Sequence, residues 1–578
     1  MRLPLFRALL LFVTPAPPIL VAAFAPTAYA CPCGGDEGGP AAGKPVLHGR
    51  RPSRISFQRK ETIMEKSRRD FFAEVGGIGL GGMLLAASLE ADDTKPKSKP
   101  PASMVFETVF TEGVAHLSYL IGDKATGRAA VIDPRRDVEV YVELARKHKL
   151  KITHALETHI HADFVSGCRE LADRTGTAKV RLSVEGGAEY GFAPEKLMDG
   201  DRIDLGRVIL TAKHTPGHTP EHMSYLAAEG NRPDTPFAVF SGDCLFADSV
   251  GRPDLLGDDQ SDKLAKELFH SIRDFYLKLD DGVRVHPAHG AGSPCGANIG
   301  DRLVTTIGYE RRHNRALRIA DEKEFVEYML FTAPPEPTYY KRMKKVNAKG
   351  PDVLGRLPTC PALPPKEFAA AVKGGGSQLV DNRQMLGFGG GHVAGALNIG
   401  PRAELSIWAG WLLDPEKPIL LVLPREADLP EVQRQLLRVG YTKFGGYLLG
   451  GMEEWNNKGL PLAYLPQMTV AELKDAKPGD LQILDVRTPG EWEGGHVPGA
   501  KYVFLPELEK KLARLEKDKP VAVYCDSGYR ASIAAALLQR NGFTQVRNVP
   551  GSWKAWKAAG YEAVVPKGRK KASDTDRA

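Results

Sequence analysis

Residues 104–110, 117–121 and 129–132 are short runs rich in apolar residues that read as strands. Residues 138–148 have the period of an amphipathic helix, and residues 152–157 form an alternating apolar run that reads as a buried strand. Strands and helices continue to alternate to about residue 320, and residues 324–345, with Pro334, Pro335 and Pro337, read as an extension joining this unit to the next. A charged, proline-rich linker over residues 91–103 places the start of the folded part near Met104.

From residue 363 the chain repeats itself. Leu379-Val380-Asp381-Asn382-Arg383 matches Ile483-Leu484-Asp485-Val486-Arg487, and Gly391-His392-Val393-Ala394-Gly395-Ala396 matches Gly495-His496-Val497-Pro498-Gly499-Ala500, both at one offset. Two related α/β domains in tandem are therefore expected.

Composition adds limits to this picture. A chain of 578 residues has room for several domains. The formal charge of +7 is small for that length, and the basic runs lie at the two ends, so solvated tails are expected and nucleic-acid binding is not. Seven scattered cysteines show neither zinc-ribbon nor disulfide spacing.

The N-terminus carries two targeting patterns. Residues 1–30 combine Arg2 and Arg7 with apolar stretches and an Ala28-Tyr29-Ala30 cleavage pattern. Residues 64–91 contain Ser67-Arg68-Arg69-Asp70-Phe71-Phe72 before a Gly-rich apolar stretch, which resembles a twin-arginine export signal and is too short for a stable membrane span. Translation is expected to begin at Met64 and the protein to be exported to the periplasm; a start near Met104 would leave it cytoplasmic.

Candidate chemistry clusters where predicted strands end. Thr158-His159-Ile160-His161-Ala162-Asp163-Phe164 follows the strand of residues 152–157. Thr215-Pro216-Gly217-His218, Ser241-Gly242-Asp243 and His286-Pro287-Ala288-His289 come later, each beside glycine or proline. Two imidazoles and a carboxylate within five residues suit a metal ion. Four such strand ends in this order resemble the metallo-β-lactamase superfamily, which implies an αββα sandwich with metal at one edge of two packed sheets.

That superfamily's pattern is H-x-H-x-D-H, and Phe164 stands in the last position. A phenyl ring donates nothing to a metal, so one ion is expected in place of two. With Gly251-Arg252-Pro253-Asp254, this resembles the persulfide dioxygenase branch. The resemblance implies one Fe(II) per chain, with zinc the alternative, on His159, His218 and Asp243. Such a set leaves open positions for a substrate sulfur and O₂. His161, Asp163 and His289 then orient ligands and carry protons, and Arg252 meets a carboxylate of the carrier thiol.

The second repeat contains an apolar run ending in Cys525, then Asp526-Ser527-Gly528-Tyr529-Arg530 and a helical segment. This resembles a rhodanese active site, which places Cys525, Arg530 and Asp485 in the catalytic set. Loop N–H groups and a helix N-terminus would stabilise the thiolate, with Arg530 adding charge. The first repeat carries Leu423 at the equivalent position, so no thiol acts there.

The sequence thus predicts an α/β protein: targeting region and linker 1–103, metallo-β-lactamase sandwich 104–345, a rhodanese-like domain without the cysteine 346–465, a second with it 466–565, and a basic tail 566–578. The resemblance implies oxidation of a low-molecular-weight persulfide, such as glutathione persulfide, by O₂ to sulfite. Sulfane-sulfur transfer at Cys525, onto sulfite to give thiosulfate, accompanies it in sulfide detoxification. A zinc thioesterase of the glyoxalase II kind and a sulfur carrier working through Cys525 alone are the alternatives. Homo-oligomer formation is left open.

Overall fold

A computed structural model describes residues 103–477 and 479–566. The targeting segments, with residues 1–30 and 64–91, lie outside the described residues, as does the basic tail from residue 567 onward. No helix among the described residues is long and apolar enough to cross a membrane.

The first domain is a sandwich of two six-stranded sheets. One holds β1 (Met104–Thr111), β2 (His116–Asp123), β3 (Arg128–Ile132), β4 (Lys151–Leu156), β5 (Lys179–Ser183) and β6 (Glu195–Leu197), in sequence order across the sheet. The other holds β7 (Arg202–Asp204), β8 (Val208–His214), β9 (Met223–Glu229), β10 (Arg232–Gly242), β11 (Arg284–Pro287) and β12 (Thr305–Thr306).

Alternation along β2 shows how sequence becomes layers. Leu117, Tyr119 and Ile121 face β8 to β10, meeting Leu210, Tyr225 and Phe240 between the sheets. Leu120 faces the other way, onto Tyr141 of the helix Glu139–His148 and Leu171 of the helix Cys168–Thr175. On the far sheet, Val239 and Val285 pack against Leu268 of the helix Asp258–His270. Each such side chain contributes roughly 1.5–3 kcal/mol on full burial. The layers are therefore αββα, as expected.

Strand direction decides where the site lies. β3, β4 and β5 run parallel, as do β10 and β11. The ends of β4, β10 and β11 and the β8–β9 turn therefore deliver residues 157–164, 243, 289 and 215–222 to one edge of the sandwich.

Two α/β domains follow. The first has β13 (Ala362–Leu363), β14 (Gln378–Asp381), β15 (Leu397–Asn398), β16 (Ile419–Val422) and β17 (Phe444–Leu448), in the order β13-β17-β16-β14-β15. The second has β18 (Gln482–Asp485), β19 (Lys501–Tyr502), β20 (Val521–Tyr524) and β21 (Val546–Asn548), in the order β19-β18-β20-β21. The helix Tyr340–Lys349 runs through the boundary expected at residue 345. Its Asn347 grips the metal loop, so the first domain extends at least to the end of that helix.

The domains pack through one continuous apolar cluster that includes Val114, Val165 and Met343 of the first, Leu405 and Leu436 of the second, and Tyr529 of the third. Within it, buried Arg438 donates from Nε and Nη2 to the Asp137 carboxylate at 2.9 and 2.8 Å, and its carbonyl accepts from Val165 N–H at 2.7 Å. Val165 lies in the loop that follows β4, so the domain with Leu423 at the thiol position holds that loop in place. Arg438→Ala is expected to cost about 3 kcal/mol, because Asp137 then keeps only Arg135 as a partner. At roughly 2–4 °C per kcal/mol, differential scanning calorimetry should show the first domain melting about 6–12 °C lower. A shift under about 2 °C would contradict the latch.

Candidate metal centre and thiol site

Residues 158–166 are a loop in which nearly every turn is held from outside. Thr158 donates its N–H to Asp133 Oδ1 at 2.6 Å and its hydroxyl to Oδ2 at 3.0 Å. Ile160 N–H donates to Glu221 Oε1 at 2.8 Å. Asn347 Nδ2 donates to the carbonyls of His161 and Phe164, both at 2.8 Å, and its Oδ1 accepts from Ser166 N–H.

Within this frame His159 Nε2, His218 Nε2 and Asp243 Oδ2 converge. The carboxylate oxygen lies 3.6 Å from the first nitrogen and 3.4 Å from the second. All three atoms are buried and without a hydrogen-bond partner among the described residues, a costly state for polar atoms unless an ion sits between them. Their partners on the far side fix the lone pairs. His218 Nδ1 lies 2.9 Å from the Arg252 carbonyl, which can only accept, so Nδ1 carries the proton and Nε2 the lone pair. Thr158 Oγ1 donates to Asp133 and therefore accepts from His159 Nδ1 at 2.9 Å, with the same result. Burial, joined by neighbouring positive charge, holds both imidazoles well below their ordinary pKa. Two neutral imidazoles and one carboxylate fit a divalent iron or zinc ion.

Two glycines make the convergence geometrically available. Gly242 sits at φ +52°, where an added Cβ would meet His222 Nε2 at 2.4 Å. At Gly251 a Cβ would lie 1.8 Å from the Asp243 carbonyl oxygen. His222 itself accepts from Asp243 N–H at 3.1 Å and pairs with Thr215 Oγ1, which leaves it a structural residue.

The other expected residues surround the trio. His289 donates Nδ1–H to Asp243 Oδ1 at 2.6 Å and Nε2–H to Asp163 Oδ2 at 2.8 Å. Burial opposes its charge, but the two carboxylates outweigh burial and raise its pKa to about 10. His161 Nε2 lies 3.2 Å from Asp133 and 3.1 Å from Glu157, and these carboxylates, against burial, raise it well above its ordinary value. Phe164 is fully buried with its ring 4.4 Å from that of His161 and 4.0 Å from that of His116, so a phenyl face lines the place where another donor would stand.

Arg252 departs from expectation. Its guanidinium is 2% exposed and donates to both oxygens of Asp254, at 2.7 and 2.6 Å, and to the Pro294 carbonyl. It holds a loop and, through its own carbonyl, His218; it does not present charge to a substrate.

The thiol site is built at the end of β20. Cys525 is buried, and Gly528 N–H donates to its Sγ at 3.1 Å beside the N-terminus of the helix Tyr529–Arg540. Arg530 is held at 2.6 Å by both oxygens of Glu491, whose carboxyl it pulls, against burial, to about 2. Asp485 is a correction: it is fully buried and paired with Arg487 at 2.7–3.0 Å. Asp381 and Arg383 form the same pair in the domain that has Leu423 in place of the nucleophile, so the pair serves the fold.

The Cys525 loop opens onto a cavity of about 540 Å³ walled by all three domains, including Ser293 and Asn298 of the first, Arg402 and Trp411 of the second, and Ser527 and Arg530 of the third. Tyr529 hydroxyl donates to the Gly400 carbonyl at 3.4 Å across this junction. Glu221, Asn347, Arg438 and His116 were absent from the sequence-predicted set. Glu221 lies inside the Thr215 to His222 stretch, whereas the others carry no motif at all.

Comparison with known proteins agrees with this partition. Residues 111–289 match the metallo-beta-lactamase superfamily, and residues 364–458 and 469–559 each match the rhodanese-like domain. The persulfide dioxygenases ETHE1, mitochondrial, of Bos taurus and of Homo sapiens are each 28% identical over 241 residues, 41% of this chain and 84% of theirs. A crystal structure of a metallo-beta-lactamase from Staphylococcus aureus subsp. aureus COL is 33% identical with a TM-score of 0.54, covering 60% of this chain and 99% of that one.

Proposed function

The chain belongs to the metallo-β-lactamase superfamily and carries two rhodanese-like domains, and from that premise we propose that it is a persulfide dioxygenase coupled to a sulfurtransferase. The observation that carries the reading is the convergence of His159 Nε2, His218 Nε2 and Asp243 Oδ2, none of which has a hydrogen-bond partner among the described residues. The family relationship to persulfide dioxygenases supports iron as the ion. Iron(II) held there would supply the binding and reduction of O₂ beside the substrate sulfur.

The chain's own residues do the rest. The Arg252 carbonyl and Thr158 hydroxyl aim the two imidazoles. His289 occupies Asp243 Oδ1, which leaves Oδ2 for the ion, and with Asp163 it holds a proton at Nδ1 and Nε2 beside the reacting centre. Buried walls exclude bulk water from the trio. The balance is RSSH + O₂ + H₂O giving RSH and sulfurous acid, ionised as sulfite at neutral pH. At the third domain, Cys525 Sγ attacks the outer sulfur of a persulfide, the S–S bond breaks and the carrier thiolate leaves. Sulfite then takes that sulfur as thiosulfate and frees the Cys525 thiolate.

A two-zinc hydrolase would need a second set of free donors. Among the described residues two further groups, Asp163 with His289 and Cys295, and Asp133 with Glu157 and His161, bring ligand atoms together, but His289 has both nitrogens engaged, His161 Nε2 lies 3.1–3.2 Å from two carboxylates, and Phe164 offers no donor. Glutathione persulfide with iron-loaded protein in an oxygen electrode tests the proposal: one sulfite per O₂ is expected, and no uptake with metal bound would refute it. Export by the segment Ser67 to Phe72 belongs to the same proposal, and fractionation of native cells checks it.

A further inference from the structure

The cavity of about 540 Å³ before Cys525 has five charged side chains in its wall, Arg402 and Glu404 from the second domain and Asp526, Arg530 and Lys554 from the third. Those of the third domain are already committed. Glu491 takes both terminal nitrogens of Arg530 at 2.6 Å, and Asp526 Oδ2 takes Lys554 Nζ at 3.0 Å. Arg402 and Glu404, both exposed, are not. Among the described residues the Arg402 guanidinium has neither a hydrogen-bond acceptor nor a carboxylate within ion-pair distance, and Glu404 has no cation within that distance.

Arg402 is nevertheless held against the loop of the reacting thiol. Its guanidinium carbon lies 4.8 Å from the centre of the Tyr529 ring, and Tyr529 follows Gly528, whose N–H donates to Cys525 Sγ. The Gly400 carbonyl accepts both the Arg402 N–H at 2.8 Å and the Tyr529 hydroxyl at 3.4 Å. Nearby, Asn398 Nδ2 donates to the carbonyls of Asp381 and Arg383 at 3.1 and 2.8 Å, which leaves Oδ1 to accept from the Ser532 hydroxyl at 2.6 Å. Asn398 and Ser532 are both buried. Residues 398–402 are therefore clamped to the first turn of the helix Tyr529–Arg540, and the fold fixes where Arg402 stands beside the Cys525 loop.

We propose that Arg402 and Glu404 set the affinity of the Cys525 site for its anionic sulfur acceptor, so that two domains build the transferase site although only one supplies the nucleophile. This rests on the sulfurtransferase reading and deepens it by assigning the residues that select the acceptor. The sulfur of sulfite attacks the outer sulfur of the Cys525 persulfide, and the S–S bond breaks. Its electron pair stays on Cys525 Sγ as the thiolate, the outer sulfur leaves as thiosulfate, and the persulfide proton passes to solvent. A dianion entering the cavity is drawn by Arg402 and opposed by Glu404, two residues further on. The two side chains therefore act in opposite directions on the same KM.

The full-length protein, kept free of O₂ so that the donor is not oxidised, is assayed for thiosulfate formed from glutathione persulfide and sulfite. Arg402→Met is expected to raise KM for sulfite roughly 3- to 10-fold and Glu404→Gln to lower it roughly two- to threefold, with kcat within about twofold in both. Both charges are exposed, so added salt should shrink both effects. KM for glutathione persulfide should stay unchanged. Arg402→Lys should recover part of the loss, and an exposed control, Lys366→Met, should show none. Calorimetric titration of thiosulfate into Cys525→Ser protein gives a reading that does not depend on turnover, with weaker binding expected on adding Arg402→Met and tighter binding on adding Glu404→Gln. KM shifts of the same sign in both variants, shifts for the persulfide in place of sulfite, or thiosulfate binding that neither variant alters would overturn the assignment. Should wild-type protein form no thiosulfate, the sulfurtransferase reading fails, and the binding measurement still decides the fate of Arg402.

Discussion

His218→Ala should abolish persulfide-dependent O₂ uptake and leave sulfur transfer at Cys525 within about twofold of wild type. His218 Nε2 supplies one of three donors, and its Nδ1 is anchored by the Arg252 carbonyl. Loss of an outer partner of a metal ligand costs roughly 10- to 100-fold in affinity or activity, and loss of the ligand itself costs more. The remaining imidazole and carboxylate hold an ion in two places only, so bound iron per chain should fall along with activity. Thiosulfate-dependent transfer is the internal control, since Cys525 sits on a separate domain with its own sheet. A variant that keeps its iron and oxidises persulfide would remove His218 from the site.

Cys525→Ser should have the mirror-image effect. A serine hydroxyl keeps the space and the hydrogen bond from Gly528 N–H but provides no thiolate at neutral pH, so sulfane-sulfur transfer should drop by roughly a thousandfold or more. O₂ uptake with preformed glutathione persulfide should persist, because no residue of the trio lies on that domain. Loss of both activities together would show that the metal centre takes its sulfur only through Cys525. Loss of neither would make Cys525 an inert strand-end thiol.

Much of this architecture was legible from local pattern. Short apolar runs drew β1 to β4 within a residue or two, and each histidine or aspartate of the trio follows an apolar run that reads as a strand. Phe164 was informative as a residue that cannot bind metal, and its buried ring lies where that reasoning placed it. The repeat exposed two related domains and the missing thiol at Leu423.

What stayed hidden depends on contacts between distant segments. Asn347 and Arg438 hold the metal loop from well over a hundred residues away. No periodicity records such meetings. Arg252 and Asp485 failed for another reason: a motif names a charge without saying what neutralises it. Asp254 and Arg487, each two residues further on, take up those charges. For Asp485 a signal did exist, because the repeat without a cysteine keeps Asp381 and Arg383 and so cannot owe that pair to sulfur chemistry.

The apolar docking of the second domain gives it a role despite Leu423. Through Arg438 it steadies the loop that carries His159, and through Arg402 and Trp411 it walls the cavity before Cys525. Removing it should therefore affect both sites at once.

The account rests most directly on a single metal-binding trio. Elemental analysis of protein purified from its native cell fraction, set beside the same analysis of His218→Ala, measures that claim: one iron per chain in the wild type and a large loss in the variant are predicted, whereas two zinc ions per chain would contradict it.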